Sequence, residues 1–483
     1  MNFKLVFRVV AVLLVIITIF MLTSLIPAWY YGEDDLYSAF LVPAGITLLI
    51  SAIYLVFSHQ ESANVSTRDG FLMVTLSWVA ASAVGAFPMY LSGAIPRYVD
   101  AYFETMSGFT TTGASILTAI ESLPRSILFW RSLTHWLGGM GIIVLTVAIF
   151  PLLGIGGLQL LKAEAPGPTV DKIAPRVAAT AKILWIAYLS LTVAETVLLM
   201  IGGLDLFDAL THTFGTLATG GFSPKSASVG HYASPFVHVV ITVFMVMAGI
   251  NFALYFRVVT GRFRSLARDT ELKAYLAVFV IATLVVTISL HQRQVYSGIG
   301  ESLRFGAFQV ASILTTTGYA TADFAAWPAL AQLALFALMF FGGCAGSTGG
   351  GIKIVRVITM FRLATNEMRY LVHPRGVFRI KMSGQTLRKD VVYTIAGFVV
   401  LYVTCLLLTT LVVATGGYDI TTSFSTALVT LGNIGPGFGM VGPTENYFFY
   451  PDYIKWFLSF IMMLGRLEVY TVLVILTPRF WRV

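Results

Sequence analysis

The sequence predicts an all-α polytopic membrane protein built from four repeats, with two further spans ahead of them. Three observations carry this. Apolar residues make up 57% of the chain and charged residues only 11%, less than half of the roughly 25% found in soluble domains. Apolar runs long enough to cross roughly 30 Å of hydrocarbon recur along the whole length. Four short, hydroxyl-bearing segments ending in glycine recur with terminal glycines 107, 98 and 117 residues apart.

Ten apolar runs lie near 5–27, 38–57, 71–93, 126–150, 183–204, 235–260, 274–291, 327–361, 391–415 and 454–477. Lys4 and Arg8 stand at the start of the first in the manner of a signal peptide. That run is too long for a signal core and no small-x-small cleavage site follows, so it reads as the first span. The longest polar stretch, about 362–390, leaves no soluble domain. The expected organisation is a two-span hairpin over 1–66 and repeats over 67–165, 166–268, 269–385 and 386–483, the third with a broken second span.

The formal net charge is +8. With the N-terminus in the cytoplasm, 23 of the 31 Lys and Arg residues fall on the cytoplasmic side, seven outside, and Arg466 within the membrane. This positive-inside asymmetry makes the basic excess a report of orientation, not a nucleic-acid footprint. The basic loops 257–273 and 356–389 are candidates for contact with anionic lipid or a partner protein. Cys344 and Cys405 offer neither a disulfide framework nor a metal spacing. No His-Glu-x-x-His, serine-base or metal motif marks an enzyme, and no cofactor is expected in this chain.

The repeated segments read Phe103-Glu-Thr-Met-Ser-Gly-Phe-Thr-Thr-Thr-Gly113, Leu210-Thr-His-Thr-Phe-Gly-Thr-Leu-Ala-Thr-Gly220, Phe308-Gln-Val-Ala-Ser-Ile-Leu-Thr-Thr-Thr-Gly318 and Ser425-Thr-Ala-Leu-Val-Thr-Leu-Gly-Asn-Ile-Gly435. Each lies between two long apolar spans and is too short and polar to cross. Each suits a re-entrant helix that returns as extended chain, which survives at membrane depth only when buried in protein or lining a wet cavity. Two full crossings per repeat give all four the same orientation. A cation path needs oxygens to replace the hydration shell, and backbone carbonyls supply them for K⁺. Glycine lets the backbone visit the left-handed region that turns successive carbonyls one way. The preceding helix would aim its negative end at the path.

These turns resemble the pore loops of the Trk/Ktr/HKT superfamily of potassium transporters over nearly the whole chain, and the two extra spans are similar to the TrkH/TrkG branch. The resemblance implies four membrane–pore–membrane units around a pseudo-fourfold pore, pairing as a homodimer in the bacterial cytoplasmic membrane, and a separate cytoplasmic nucleotide-binding, TrkA-like subunit that gates it. Carried over by position, the K⁺ filter would comprise Thr111, Thr112 and Gly113; Ala218, Thr219 and Gly220; Thr316, Thr317 and Gly318; and Asn433, Ile434 and Gly435. Glycine rather than serine at 113 goes, by the same resemblance, with potassium over sodium. The fourth loop departs from the others in carrying Asn433-Ile434.

Two features lie beneath these turns. The stretch Gly342-Gly-Cys-Ala-Gly-Ser-Thr-Gly-Gly-Gly351 holds six glycines in ten residues and cannot be a stable helix interior. It is no phosphate loop, because Ile352 follows Gly351 where lysine is required. Unwound chain at this depth should line the water path. The resemblance makes Gly342, Gly343, Gly346, Gly349, Gly350 and Gly351 a gate. Arg466 lies within the last span, where arginine usually faces a wet cavity or an acid; the resemblance places it in the pore, and an ion pair with Glu195 is the plain alternative. Glu104 is expected to bond to backbone or to an arginine, and His135 and His212 to pack or hydrogen-bond rather than hold metal. Trp29, Tyr30, Tyr31, Tyr447, Tyr450 and Tyr453 read as interfacial anchors. The predicted function is gated potassium uptake through a carbonyl-lined filter. The rivals are an alternating-access symporter coupled to H⁺ or Na⁺, and a relative that passes both Na⁺ and K⁺.

Overall fold

Among the described residues six helices are long and apolar enough to cross a membrane: Phe3–Tyr31, Asp34–Phe57, Thr67–Leu91, Lys182–Ile201, Thr270–Gln292 and Lys389–Ala414. They are the N-terminal pair and the first span of each repeat. This computed structural model describes residues 1–58, 66–141, 177–261, 266 and 268–482. The predicted boundary at 165/166, with Lys162, Lys172 and Arg176, lies outside the described residues, as do Arg262 and Arg264.

Local chemistry sets the helix starts. Ser66 and Asp69 form a reciprocal capping box at the head of Thr67–Leu91, and the Asp269 side chain caps the helix that begins at Thr270. The second spans open at proline: Pro124, Pro328 and Pro451 stand just before Arg125–Trp136, Ala329–Leu338 and Asp452–Arg466, and Pro235 is the first residue of Pro235–Ala248. Proline's fixed φ and missing N–H cost nothing there.

The second spans of repeats 2, 3 and 4 also differ from the first spans in being broken. The sequence predicts an interruption only in repeat 3. The structure bends repeat 2 by 96° between Ala248 and Phe252 and repeat 4 by 115° between Arg466 and Tyr470. In repeat 1 the helix passes into a π-helical turn, Leu137–Gly141. The runs expected as plain spans at 235–260 and 454–477 are therefore each two helices.

Four short helices, Tyr98–Phe109, Leu206–Leu217, Ile299–Leu314 and Ile420–Leu431, lie inside the bundle. Each packs on the second span of the repeat before it. Arg125–Trp136 lies on the second short helix and Pro235–Ala248 on the third. Phe336 and Phe340 stack against Phe424 of the fourth, and Asp452–Arg466 closes the circle on the first. The buried Lys455–Asp100 ion pair, 2.6 Å, and the exposed Arg97–Asp452 pair fasten that last joint. The repeats thus ring one axis, and Leu49, Ile53, Val197, Ile281, Leu284, Leu407 and Leu411 turn outward, as expected where lipid is the solvent.

A ring of four turns as the candidate functional site

Each short helix ends in the same four-residue turn. The N–H groups of Thr111, Thr219, Thr316 and Asn433 donate to the carbonyls of Gly108, Thr216, Ile313 and Thr430. Those of Thr112, Gly220, Thr317 and Ile434 donate to Ser107, Gly215, Ser312 and Val429. Backbone dihedrals repeat as faithfully. Thr111, Thr219, Thr316 and Asn433 have φ of 51°, 55°, 59° and 53°, and two positions on, Gly113, Gly221, Gly318 and Gly435 have 77°, 82°, 85° and 92°. A β-branched threonine at positive φ is a true outlier that persists only where its surroundings enforce it, at about 1–3 kcal/mol each.

This geometry shifts the register expected for the second turn. The residue equivalent to Gly113 is Gly221, not Gly220, so the turns are Thr110–Gly113, Ala218–Gly221, Thr315–Gly318 and Gly432–Gly435. Gly220 has no positive φ. It is small for a different reason: a Cβ there would lie 2.5 Å from the His135 ring. The four left-handed glycines close a circle. A Cβ on Gly113 would strike the Gly220 carbonyl oxygen, on Gly221 that of Thr317, and on Gly318 that of Ile434; on Gly435 the Thr112 oxygen would lie 2.7 Å away. Asn433, which broke the sequence pattern, keeps the common backbone, and its Nδ2 donates to Thr112 Oγ1 at 2.9 Å and to the Met462 carbonyl at 2.9 Å.

Buried side chains brace the ring from behind. Glu104 accepts from Arg131 Nε at 2.7 Å, from Ser115 Oγ at 2.8 Å and from the Ile116 N–H at 2.9 Å. Arg131 also donates to the Ser223 carbonyl at 3.0 Å and lies 3.6 Å over the Phe222 ring, which joins turns 1 and 2. Tyr319 Oη donates to the carbonyls of His212 and Phe222, joining turns 3 and 2. His135 Nδ1 meets the Gly108 carbonyl at 2.7 Å, and His212 Nε2 meets Ser223 Oγ at 3.1 Å, so both histidines hydrogen-bond within the brace. Among the described residues no group of three or more His, Cys, Asp or Glu could hold a metal ion.

The Glu104–Arg131 side chains are 0% and 3% exposed. Removing one partner of such a pair strands a buried charge, at a cost of about 3–5 kcal/mol. Arg131→Met is therefore expected to lower the yield of monodisperse protein several-fold. Glu104→Leu combined with Arg131→Met should recover part of it, read by size-exclusion of the detergent extract after a heating series.

Above the ring, a cavity of about 130 Å³ is lined by Gly113, Gly221, Gly318 and Gly435, with Lys225 and Glu445 at its walls. Below the short-helix ends lies the glycine-rich segment. The Gly350 N–H donates to Thr316 Oγ1 at 2.6 Å, and a Cβ on Gly350 would lie 2.5 Å from the Gly432 carbonyl oxygen. Gly342 bonds back to the Ile352 carbonyl at 2.9 Å, so the segment folds on itself beneath turns 3 and 4. Arg466 reaches the same place. Its guanidinium donates to the Thr348 carbonyl at 2.6 Å and to the Gly138 and Gly139 carbonyls at 2.8 Å each. One side chain from repeat 4 thereby bridges the glycine-rich segment of repeat 3 and the π-helical turn of repeat 1.

Residues 38–482 match the TrkH family, described as a cation transport protein. The chain belongs to that family. It is 39% identical to the Trk system potassium uptake protein TrkH of Escherichia coli K12, with all of both chains covered. It is 35% identical to that organism's Trk system potassium uptake protein TrkG, over 96% of this chain and 95% of the relative. Its structure superposes on the crystal structure of the potassium transporter TrkH from Vibrio parahaemolyticus with a TM-score of 0.90, 36% identity and full coverage of both chains.

Within this TrkH-family fold the ring gathers Thr111, Thr112, Gly113, Ala218, Thr219, Gly220, Thr316, Thr317, Gly318, Asn433, Ile434 and Gly435, with Ala218, like Thr110, Thr315 and Gly432, the helix cap that opens its turn. Glu195 does not meet Arg466: among the described residues neither of its carboxylate oxygens has a hydrogen-bond partner. Tyr447 and Tyr450 are not interfacial anchors but buried braces, Tyr447 Oη donating to the Gly435 carbonyl at 2.7 Å and Tyr450 Oη meeting Thr426 Oγ1 at 2.7 Å. Trp29, Tyr30 and Tyr453 are exposed as expected. Sequence reasoning missed Gly221, Arg131, Tyr319, the breaks in repeats 2 and 4 and the π-helical turn of repeat 1. The prolines that open the second spans mark where those spans begin, but their distances from the turn glycines differ between repeats and do not fix the register.

Proposed function

We propose that this chain carries potassium inward across a bacterial cytoplasmic membrane through the ring of four turns, which acts as a carbonyl filter. The observation that carries the reading is the closed circle of left-handed glycines, each seated against the carbonyl of Thr112, Gly220, Thr317 or Ile434 in its neighbour. Left-handed backbone alternating with ordinary backbone turns successive carbonyls to one side, and the C-terminal, negative ends of four short helices converge beneath them. The relatives named as potassium uptake proteins support potassium as the cargo. The segment 342–351, with Arg466, is the barrier at the inner end of the filter. A homodimer and a nucleotide-binding cytoplasmic subunit complete the assembly, on the strength of the family resemblance and the basic loops.

Flux through purified protein in planar bilayers tests this. Unit conductance steps favouring K⁺ over Na⁺ are expected, and deletion of 346–350 should raise flux in the absence of any second protein. Tight stoichiometric coupling to H⁺ or Na⁺ without unit steps would replace the filter-and-gate reading with alternating access.

A further inference from the structure

Glu271 is the second residue of the helix Thr270–Gln292, the first span of repeat 3. One oxygen of its carboxylate, Oε1, accepts the Ala345 N–H at 2.8 Å and the Val355 N–H at 3.0 Å. Those two amides lie ten residues apart, Ala345 within the glycine-rich segment and Val355 at the start of the helix that follows it. A single acceptor on a separate, continuous helix therefore ties the inside of the segment to the helix that follows it. The segment has further ties: Thr348 Oγ1 to the Ala248 carbonyl at 3.2 Å, the Phe252 N–H to the Gly346 carbonyl at 3.0 Å, the Cys344 N–H to the Gly249 carbonyl at 2.8 Å, and, at its trailing end, the Gly350 N–H to Thr316 Oγ1 and Lys353 to the Gly349 carbonyl.

The residue beside Glu271 leads to the surface. Thr270 and Ser383 exchange two hydrogen bonds, backbone N–H to side-chain oxygen in each direction, at 3.1 and 3.0 Å. Ser383 forms the tip of an exposed hairpin in which Lys381–Met382 pairs with Gln385–Thr386. An exposed element is thus one residue away from the acceptor that pins the fold below the filter.

We propose that Glu271 is a positioning residue that latches the glycine-rich segment under the filter, and that a pull on the 381–386 hairpin releases it through Thr270. The inference rests on the barrier reading of 342–351. Cys344 lies in the segment and is 1% exposed, and Cys405 is the chain's only other thiol. In a Cys405→Ser background, Cys344 therefore reports the opening of the fold through its rate of modification by a small charged thiol reagent. Glu271→Gln keeps an oxygen in place but removes the charge, and Glu271→Ala removes the acceptor.

In proteoliposomes, Glu271→Ala is expected to speed Cys344 modification and raise K⁺ flux at least tenfold, with Glu271→Gln intermediate. The K⁺/Na⁺ ratio should hold, because the ring is not touched; a general loss of structure would change that ratio or the monodisperse yield. Combining Glu271→Ala with deletion of 346–350 should add nothing to the flux of the deletion alone. Parental labelling and flux in both Glu271 variants would overturn the latch. A deletion that leaves flux unchanged while Glu271→Gln still exposes Cys344 would overturn the barrier reading and leave the latch supported. If Glu271→Ala does not fold, Glu271→Gln alone decides by the same two rates.

Discussion

Serine in place of Gly113, Gly221 or Gly318 is expected to lower the K⁺/Na⁺ permeability ratio at least tenfold, whereas alanine at Gly220 should not. At the first three positions two costs coincide. The backbone sits at φ of 77°, 82° and 85°, where a Cβ costs about 1–2 kcal/mol. The added atom would also run into a backbone carbonyl of the adjoining repeat, and backbone cannot step aside. The carbonyl must rotate or the two turns must part, and either change alters the spacing of the oxygens that would select the ion in the proposed filter. At Gly435 an added Cβ would stand 2.7 Å from the oxygen of Thr112, so the same substitution there should do the least of the four. Gly220 meets a side chain instead. Its neighbour is the His135 ring at 2.5 Å, and His135→Ala should restore whatever Gly220→Ala loses. Reversal potentials under bi-ionic K⁺ and Na⁺ measure all five variants. Equal sensitivity at 220 and 221, with no rescue by His135→Ala, would return the register to the one read from sequence.

Much of the fold was legible because its strongest determinants are local. A run of twenty apolar residues has no stable place but lipid, and a Thr-Thr-Gly turn repeated about every hundred residues announces itself. The glycine break at 342–351 was legible for the same reason. The other breaks were not, because no local signal makes them. Repeat 4 turns at Glu468 and Val469, with φ of 57° and 59° and no glycine at either position. What enforces it is tertiary: Glu468 forms an ion pair with Arg356, which itself lies over the Phe398 ring. Repeat 2 bends after Gly249, which has room for no side chain against Tyr275 Oη and Thr315. The Gly220-Gly221 pair was ambiguous by nature, since sequence does not say which of two adjacent glycines carries the positive φ. Tyr447 and Tyr450 misled because an aromatic near a span end serves equally as an anchor or as a brace. Arg131 was hidden because an apolar run with one arginine gives no hint that Glu104 waits 27 residues earlier in chain and 2.7 Å away in space.

Arg466→Ala is expected to raise K⁺ flux by one to three orders of magnitude per folded molecule. The upper figure is electrostatic: a unit charge about 4 Å from the path costs a passing cation roughly 4 kcal/mol at an effective dielectric of 20, which is about a thousandfold in occupancy. The structure adds a second contribution, because the guanidinium also ties the Thr348, Gly138 and Gly139 carbonyls together under the ring. Releasing them loosens the glycine-rich segment, each bond contributing about 1 kcal/mol. Two further variants separate charge from tether. Arg466→Gln keeps amide donors without the charge, so a high flux in glutamine as in alanine assigns the barrier to electrostatics. Arg466→Lys keeps the charge on a compact head that cannot span three carbonyls with a planar fork; a flux near the parental level assigns the barrier to charge, and a flux near that of alanine assigns it to the tether. The ion-pair alternative makes a different forecast. Alanine would then strand an acid and lower the folded yield while leaving flux per molecule unchanged. Glu468, the nearest acid in sequence, is already held by Arg356, so no such loss is expected. Parental flux in monodisperse Arg466→Ala and Arg466→Gln would remove this residue from the permeation path.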